Sequence, residues 1–258
     1  MRFLLLLLTS LSLIFACQSS KNVLASRSSG TPAKVFSPEA TSVLAKALKA
    51  HGGDLYENAH YQFVFRKKTF TFQNNGPVYR YKSVQEKGGI KTVDMLDNDM
   101  VSRTVDGEPV VLSEKQKIGI GGSLNSVIYF ATLPHKLSDA SVNIASGGKV
   151  SIKGTQYDIL QVTFDQAGGG RDHDDHYRYW INSKTGRIDY LAYNYSTGNG
   201  GVRFREAYNP RIVKGILFQD YVNYAAPLGT PLDTLPSLFE GDKLRKLSVI
   251  DTENVVAL

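Results

Sequence analysis

From Tyr61 onward the large side chains recur at every second position, and this period of two commits most of the chain to antiparallel strands. Tyr61, Phe63 and Phe65 share one parity. Phe70 and Phe72 take the other, which places a bulge or a break across Lys67-Lys68-Thr69. Val78 to Gln85 and Ile90 to Leu96 continue the alternation. Met100 to Val105, Asp106-Gly107 and Pro109 to Leu112 spell a hairpin with a tight turn. Further strands are expected over 149–153, 156–164, 176–182, 187–195, 201–208 and 211–224, with glycine turns between them and a last strand within 243–256. The 14 Tyr and 12 Phe residues suit such strands.

Two segments switch to the helical period. Ser37-Pro38 supplies an N-cap and a proline at the first helical position, followed by Ala40, Val43, Leu44, Ala47, Leu48 and His51. Gly52-Gly53 ends that helix. Ser113 and Gln116 have the spacing of a capping box, but glycines at 119, 121 and 122 interrupt what it starts. A second helix is therefore expected only from Ser123, through Leu124, Val127, Ile128 and Ala131.

Several strands are apolar on both faces. Leu191, Tyr193 and Tyr195 oppose Tyr190 and Ala192; Ile212, Ile216 and Phe218 oppose Val213, Leu217 and Tyr221. A sheet wetted on one side shows cleaner alternation, so helices or a bound apolar ligand must cover the second face.

The N-terminus fixes the compartment. Met1-Arg2 and the leucine-rich run Phe3 to Phe15 fit a signal peptide and are too short to span a bilayer. Ile14, Ala16 and Cys17 resemble a bacterial lipobox, which implies cleavage after residue 16, acylation of Cys17 (palmitate among the chains) and a lipoprotein of the outer membrane facing the periplasm. Residues 17–36 read as lipid anchor and flexible tether, and 37–258 as one domain. Loss of residues 1–16 leaves 29 basic against 24 acidic side chains, a mild +5. An exported protein with this spread-out charge is a poor nucleic-acid binder.

One helix ending Ala50-His51-Gly52-Gly53, then Phe63-Val64-Phe65-Arg66, many antiparallel strands and a short helix ending Leu133-Pro134 resemble the periplasmic lipoprotein carrier LolA and its receptor LolB. Tyr179-Trp180-Ile181-Asn182, Asp189-Tyr190-Leu191-Ala192-Tyr193 and Arg203-Phe204-Arg205-Glu206-Ala207 resemble an uncharacterised family of bacterial lipoproteins. The carrier resemblance implies a mainly β fold with a few helices: a single open, strongly curved antiparallel sheet, a half-barrel, closed by helices around a lipid-sized cavity. Phe63, Phe65, Tyr79, Tyr81, Leu191, Tyr193 and Phe218 are the expected lining, each with a place in a closed core as its alternative. Arg66, Arg203 and Arg205 are candidates for holding a head group, with a surface ion pair as the alternative.

Arg171 to His176 brings two imidazoles and three carboxylates into one loop. His173 and His176 point to opposite faces if the segment is a strand, so no metal site and no cofactor is expected. The expected function is non-enzymatic binding of a lipid-like amphiphile in the cell envelope, with the membrane engaged through Cys17. The alternatives are a scaffold for an envelope protein partner and, more remotely, a metal-dependent hydrolase using the histidine loop.

Overall fold

The Ser37 hydroxyl accepts the Ala40 N–H at 3.2 Å and starts α1 (Pro38–His51), whose buried Ala40, Leu44 and Ala47 form one stripe. The computed structural model describes residues 37–166 and 174–258. Six strands follow α1: β1 (His60–Phe65), β2 (Lys68–Asn75), β3 (Val78–Lys87), β4 (Ile90–Asp97), β5 (Met100–Val105) and the short β6 (Glu108–Pro109). After α2 (Glu114–Ala131) come β7 (Val142–Ile152), β8 (Thr155–Phe164), β9 (His176–Asn182), β10 (Ile188–Tyr195), β11 (Gly201–Val213) and β12 (Ile216–Ala226). The chain ends with α3 (Leu235–Glu240), β13 (Arg245–Ile250) and β14 (Glu253–Ala257). Cys17, the signal peptide, the tether and His173 lie outside the described residues.

The expected single sheet is two. Seven strands run in the order β14-β1-β2-β3-β4-β5-β6, and seven more in the order β13-β12-β11-β10-β9-β8-β7. Both are antiparallel meanders, and among the described residues no ladder joins them. The C-terminal segment explains the division. Instead of one strand over 243–256, β13 pairs with β12 while β14 pairs with β1. At the step between them, the Thr252 N–H donates to Asp220 Oδ1 at 2.8 Å, and its carbonyl accepts from Arg211. A side-chain acceptor and a side-chain donor thus satisfy the backbone where ladder pairing stops.

Local corrections have equally local causes. The parity slip after Phe65 is neither bulge nor simple break but a two-residue hairpin turn, with Arg66 and Lys67 both at positive φ. Helix α2 is one helix through all three glycines. Its capping box is complete, and Ile120, Leu124 and Ile128 bury one face four residues apart. Each such burial contributes roughly 1.5–3 kcal/mol, against about 1 kcal/mol lost per helical glycine. Gly121 also admits a close approach, since a Cβ there would sit 3.1 Å from Val101. Asn209-Pro210 does not end a strand; it forms a bulge within β11, and the turn falls at Lys214-Gly215 instead.

The core has three parts. Helix α1 packs with Leu160, Tyr179 and Leu191 of the second sheet. Helix α2 packs with Phe63, Phe72, Tyr81 and Leu96 of the first, joined by Ile216 and Phe218 from β12. On the opposite face of the second sheet, Leu235 and Phe239 of α3 cover Trp180, Tyr190 and Phe204. That last layer accounts for much of the two-sided apolar character of β10, which therefore does not by itself require a ligand.

Candidate functional site

A cleft of about 400 Å³ opens where β1 and α2 face β9 to β13. Phe65, Val127 and Ala131, over fully buried Phe63, make an apolar wall, and Tyr177, Tyr193, Tyr195, Arg203, Arg205 and Tyr221 line the other side. The β10–β11 hairpin sets this second wall. Its register places Arg205 opposite Leu191 and Arg203 opposite Tyr193, so both arginines share the face that carries the tyrosines.

Six residues expected at a binding cavity border this cleft: Phe63, Phe65, Arg66, Tyr193, Arg203 and Arg205. Four do not. Tyr81, Leu191 and Phe218 are buried in the core. Tyr79 is half-buried elsewhere, with the Lys136 ammonium 5.2 Å from its ring centre. Sequence reasoning missed Phe130, Tyr177 and Tyr221. Phe130 lies inside the expected second helix, between Ile128 and Ala131, but off the stripe Leu124, Val127, Ile128 and Ala131 that defines it. The parity of Tyr177 with Tyr179 is the signal that the sequence offers; the pairing of Tyr177 with Tyr193 shows only in the ladder.

The tyrosines form a continuous aromatic surface. Tyr177 stacks on Tyr193 at 5.2 Å between ring centres, and Phe130 lies 5.5 Å from Tyr193. Behind it, the Tyr129 and Tyr179 hydroxyls meet at 2.6 Å. Burial pushes the Tyr221 phenol up to about 12, so it remains protonated at neutral pH; its oxygen accepts from Gln219 Nε2 at 2.8 Å.

The charge is cationic. Among the described residues the lining carries Arg66, Arg203 and Arg205 against one carboxylate, Asp175. Among the described residues, no carboxylate lies within 4.0 Å of any of the three guanidiniums. Arg203 donates to the Tyr195 hydroxyl and, at 3.1 Å, to the Val202 carbonyl. Gly201 makes room for that pair: a Cβ there would sit 2.6 Å from the Tyr195 hydroxyl and 2.8 Å from Arg203 Nη1.

A second, polar groove of about 780 Å³ lies on the other face of the second sheet. It holds His176 and Arg178, the latter donating to Asp233 at 2.8 Å. Among the described residues, no three His, Cys, Asp or Glu side chains gather as a metal site.

The sequence model of DUF6503, a family of unknown function, matches residues 45–252. The chain belongs to DUF6503. No curated protein matches the sequence. Among solved structures, this DUF6503 fold is similar to a LolA superfamily protein of Nitrosomonas europaea, at 12% identity and a TM-score of 0.50, covering 84% of this chain and 92% of that one. A DUF1329 family protein of Desulfovibrio piger is similar at 10% identity and a TM-score of 0.46, covering 86% and 94%. The DUF6503 chain therefore has a LolA-like fold. Among its described residues no helix is long and apolar enough to cross a membrane.

Proposed function

We propose that this DUF6503 protein is a lipoprotein of the cell envelope, held to the outer membrane by acylated Cys17, that binds an amphiphile in the cleft between β1, α2 and β9 to β13 without chemical conversion. The observation that carries this reading is the two-sided cleft: Phe63, Phe65 and Val127 on one wall, and arginines backed by tyrosines on the other. Its volume of about 400 Å³ falls within the roughly 300–1,000 Å³ typical of small-molecule sites. An apolar chain gains by leaving water against the first wall, and polar donors on the second fix its other end. The LolA-like fold supports the reading as an analogy of architecture.

The test is native mass spectrometry of the full chain extracted from its own membranes. A co-purifying amphiphile is expected, and Phe130→Asp should lose it by placing a carboxylate in the aromatic wall. Membrane fractionation of Cys17→Ser tests the anchor: the variant should be released or left unprocessed. A chain that carries no amphiphile and stays membrane-bound and normally processed without Cys17 contradicts both parts.

A further inference from the structure

Arg205 is almost fully buried, at 8% exposure, yet among the described residues no carboxylate forms an ion pair with it. Its guanidinium carbon lies 3.9 Å from the centre of the Phe130 ring and 5.2 Å from that of Tyr193. Nη2 donates to the Tyr193 hydroxyl at 2.8 Å, and among the described residues Nε has no acceptor. Desolvating a cation is costly unless an anion accompanies it, and contact with two ring faces returns only part of that cost.

The hydroxyls matter as much as the charge. Tyr193 and Tyr195 each accept a bond from an arginine, which leaves each phenolic hydrogen free of any acceptor among the described residues. This wall thus offers donors where a neutral polar ligand would also need acceptors. Arg66 is exposed and open to screening by water, and Arg203 is half-buried. Arg205 is the position where a charged partner counts most.

We propose that the cleft takes an amphiphile whose polar end is an oxyanion, a carboxylate or a phosphate ester, docked against Arg205 with the Tyr193 hydroxyl donating to it. This rests on the reading of the cleft as an amphiphile site. A guanidinium with a phenol beside it offers adjacent donors to the paired oxygens of such a group, and charge-assisted hydrogen bonds are about twice as strong as neutral ones.

The test compares ligands of one chain length on the full-length protein at neutral pH, read by native mass spectrometry: dodecanoic acid, its methyl ester, dodecyl phosphate and inorganic phosphate. The acid and the alkyl phosphate should bind at least about tenfold tighter than the ester, the factor expected from one charge-assisted bond. Arg205→Gln should remove that preference, and a circular dichroism spectrum like that of the wild-type chain shows that the variant is folded. Inorganic phosphate should not displace the acid; if it does so at similar concentration, the site is one for a free anion and the amphiphile reading falls. Equal binding of acid and ester by the wild-type chain overturns the oxyanion assignment alone. No binding by any of the three chain-bearing ligands overturns the underlying reading of the cleft.

Discussion

Asp220 accepts the backbone N–H of Thr252 at 2.8 Å and the Thr252 hydroxyl at 2.9 Å, at the step where the C-terminal segment leaves one sheet for the other. The same carboxylate accepts from Asn209 at 2.7 Å and from Arg211 at 3.1 Å, and it is only 3% exposed. It therefore holds the β11 bulge, the β12 strand and the sheet crossing together. Asp220→Ala leaves the Thr252 amide without its acceptor and the Arg211 guanidinium without its carboxylate, though Arg211 keeps the Asn209 and Thr252 carbonyls. The expected loss is about 2–4 kcal/mol, below the top of the range for a buried pair because Arg211 keeps access to water. Urea denaturation measures it, and a loss under about 0.5 kcal/mol would show that the crossing is held by other contacts.

His51 gives stability a direction in pH. Its Nε2 accepts the Ile188 N–H at 3.1 Å, so the bond needs the neutral ring. Burial, aided by the nearby Arg187 charge, lowers its pKa from 6.5 to about 4. Below pH 6.5 the unfolded chain takes up a proton that the folded chain refuses, and stability falls until the folded ring itself titrates near pH 4. The expected drop between neutral pH and about pH 5 is roughly 2 kcal/mol. His51→Gln keeps an acceptor without a titrating group and should flatten this part of the curve, although half-buried His135, also lowered by burial, retains a smaller slope of the same sign. An unchanged slope in His51→Gln would place the titration elsewhere.

Gly201 separates the shape of the cleft from the stability of the sheet. Alanine there pushes on the Tyr195 hydroxyl and on Arg203 Nη1, both ends of flexible side chains. Folding stability should change by no more than about 1 kcal/mol. Amphiphile affinity should drop several-fold because the donor pair moves. Unaltered affinity in a folded Gly201→Ala chain would remove Tyr195 and Arg203 from the site.

The meander was legible because its hairpins are local. Asp106-Gly107 and the parity change between Phe65 and Phe70 lie inside the segments they organise. Helix α2 was legible only in its second half, since three glycines outweigh a capping box until the buried stripe of Ile120, Leu124 and Ile128 is known. Helix α3, six residues long, carries too short a period to read, and without it the cover of the double-sided β10 stays open between the two expected helices and a ligand. The division into two sheets depends on Asp220 reaching Thr252, 32 residues away, which no local pattern contains. At the site, strand parity put Arg203 and Arg205 on one face. Whether that face was wet or enclosed depended on α2, and with it the separation of cleft-lining Tyr193 from core-bound Leu191.

The central claim is that an amphiphile occupies the cleft between α2 and the β10–β11 hairpin. Photo-cross-linking tests it most directly, using a long-chain carboxylate with a diazirine on the chain, added to the full-length protein and mapped by peptide mass spectrometry. The account expects label in the peptides that carry Phe65, Val127 and Phe130, displaced by excess dodecanoic acid and lost in Phe130→Asp. Label concentrated at the polar groove of His176 and Asp233, or label that excess acid does not displace, would contradict it.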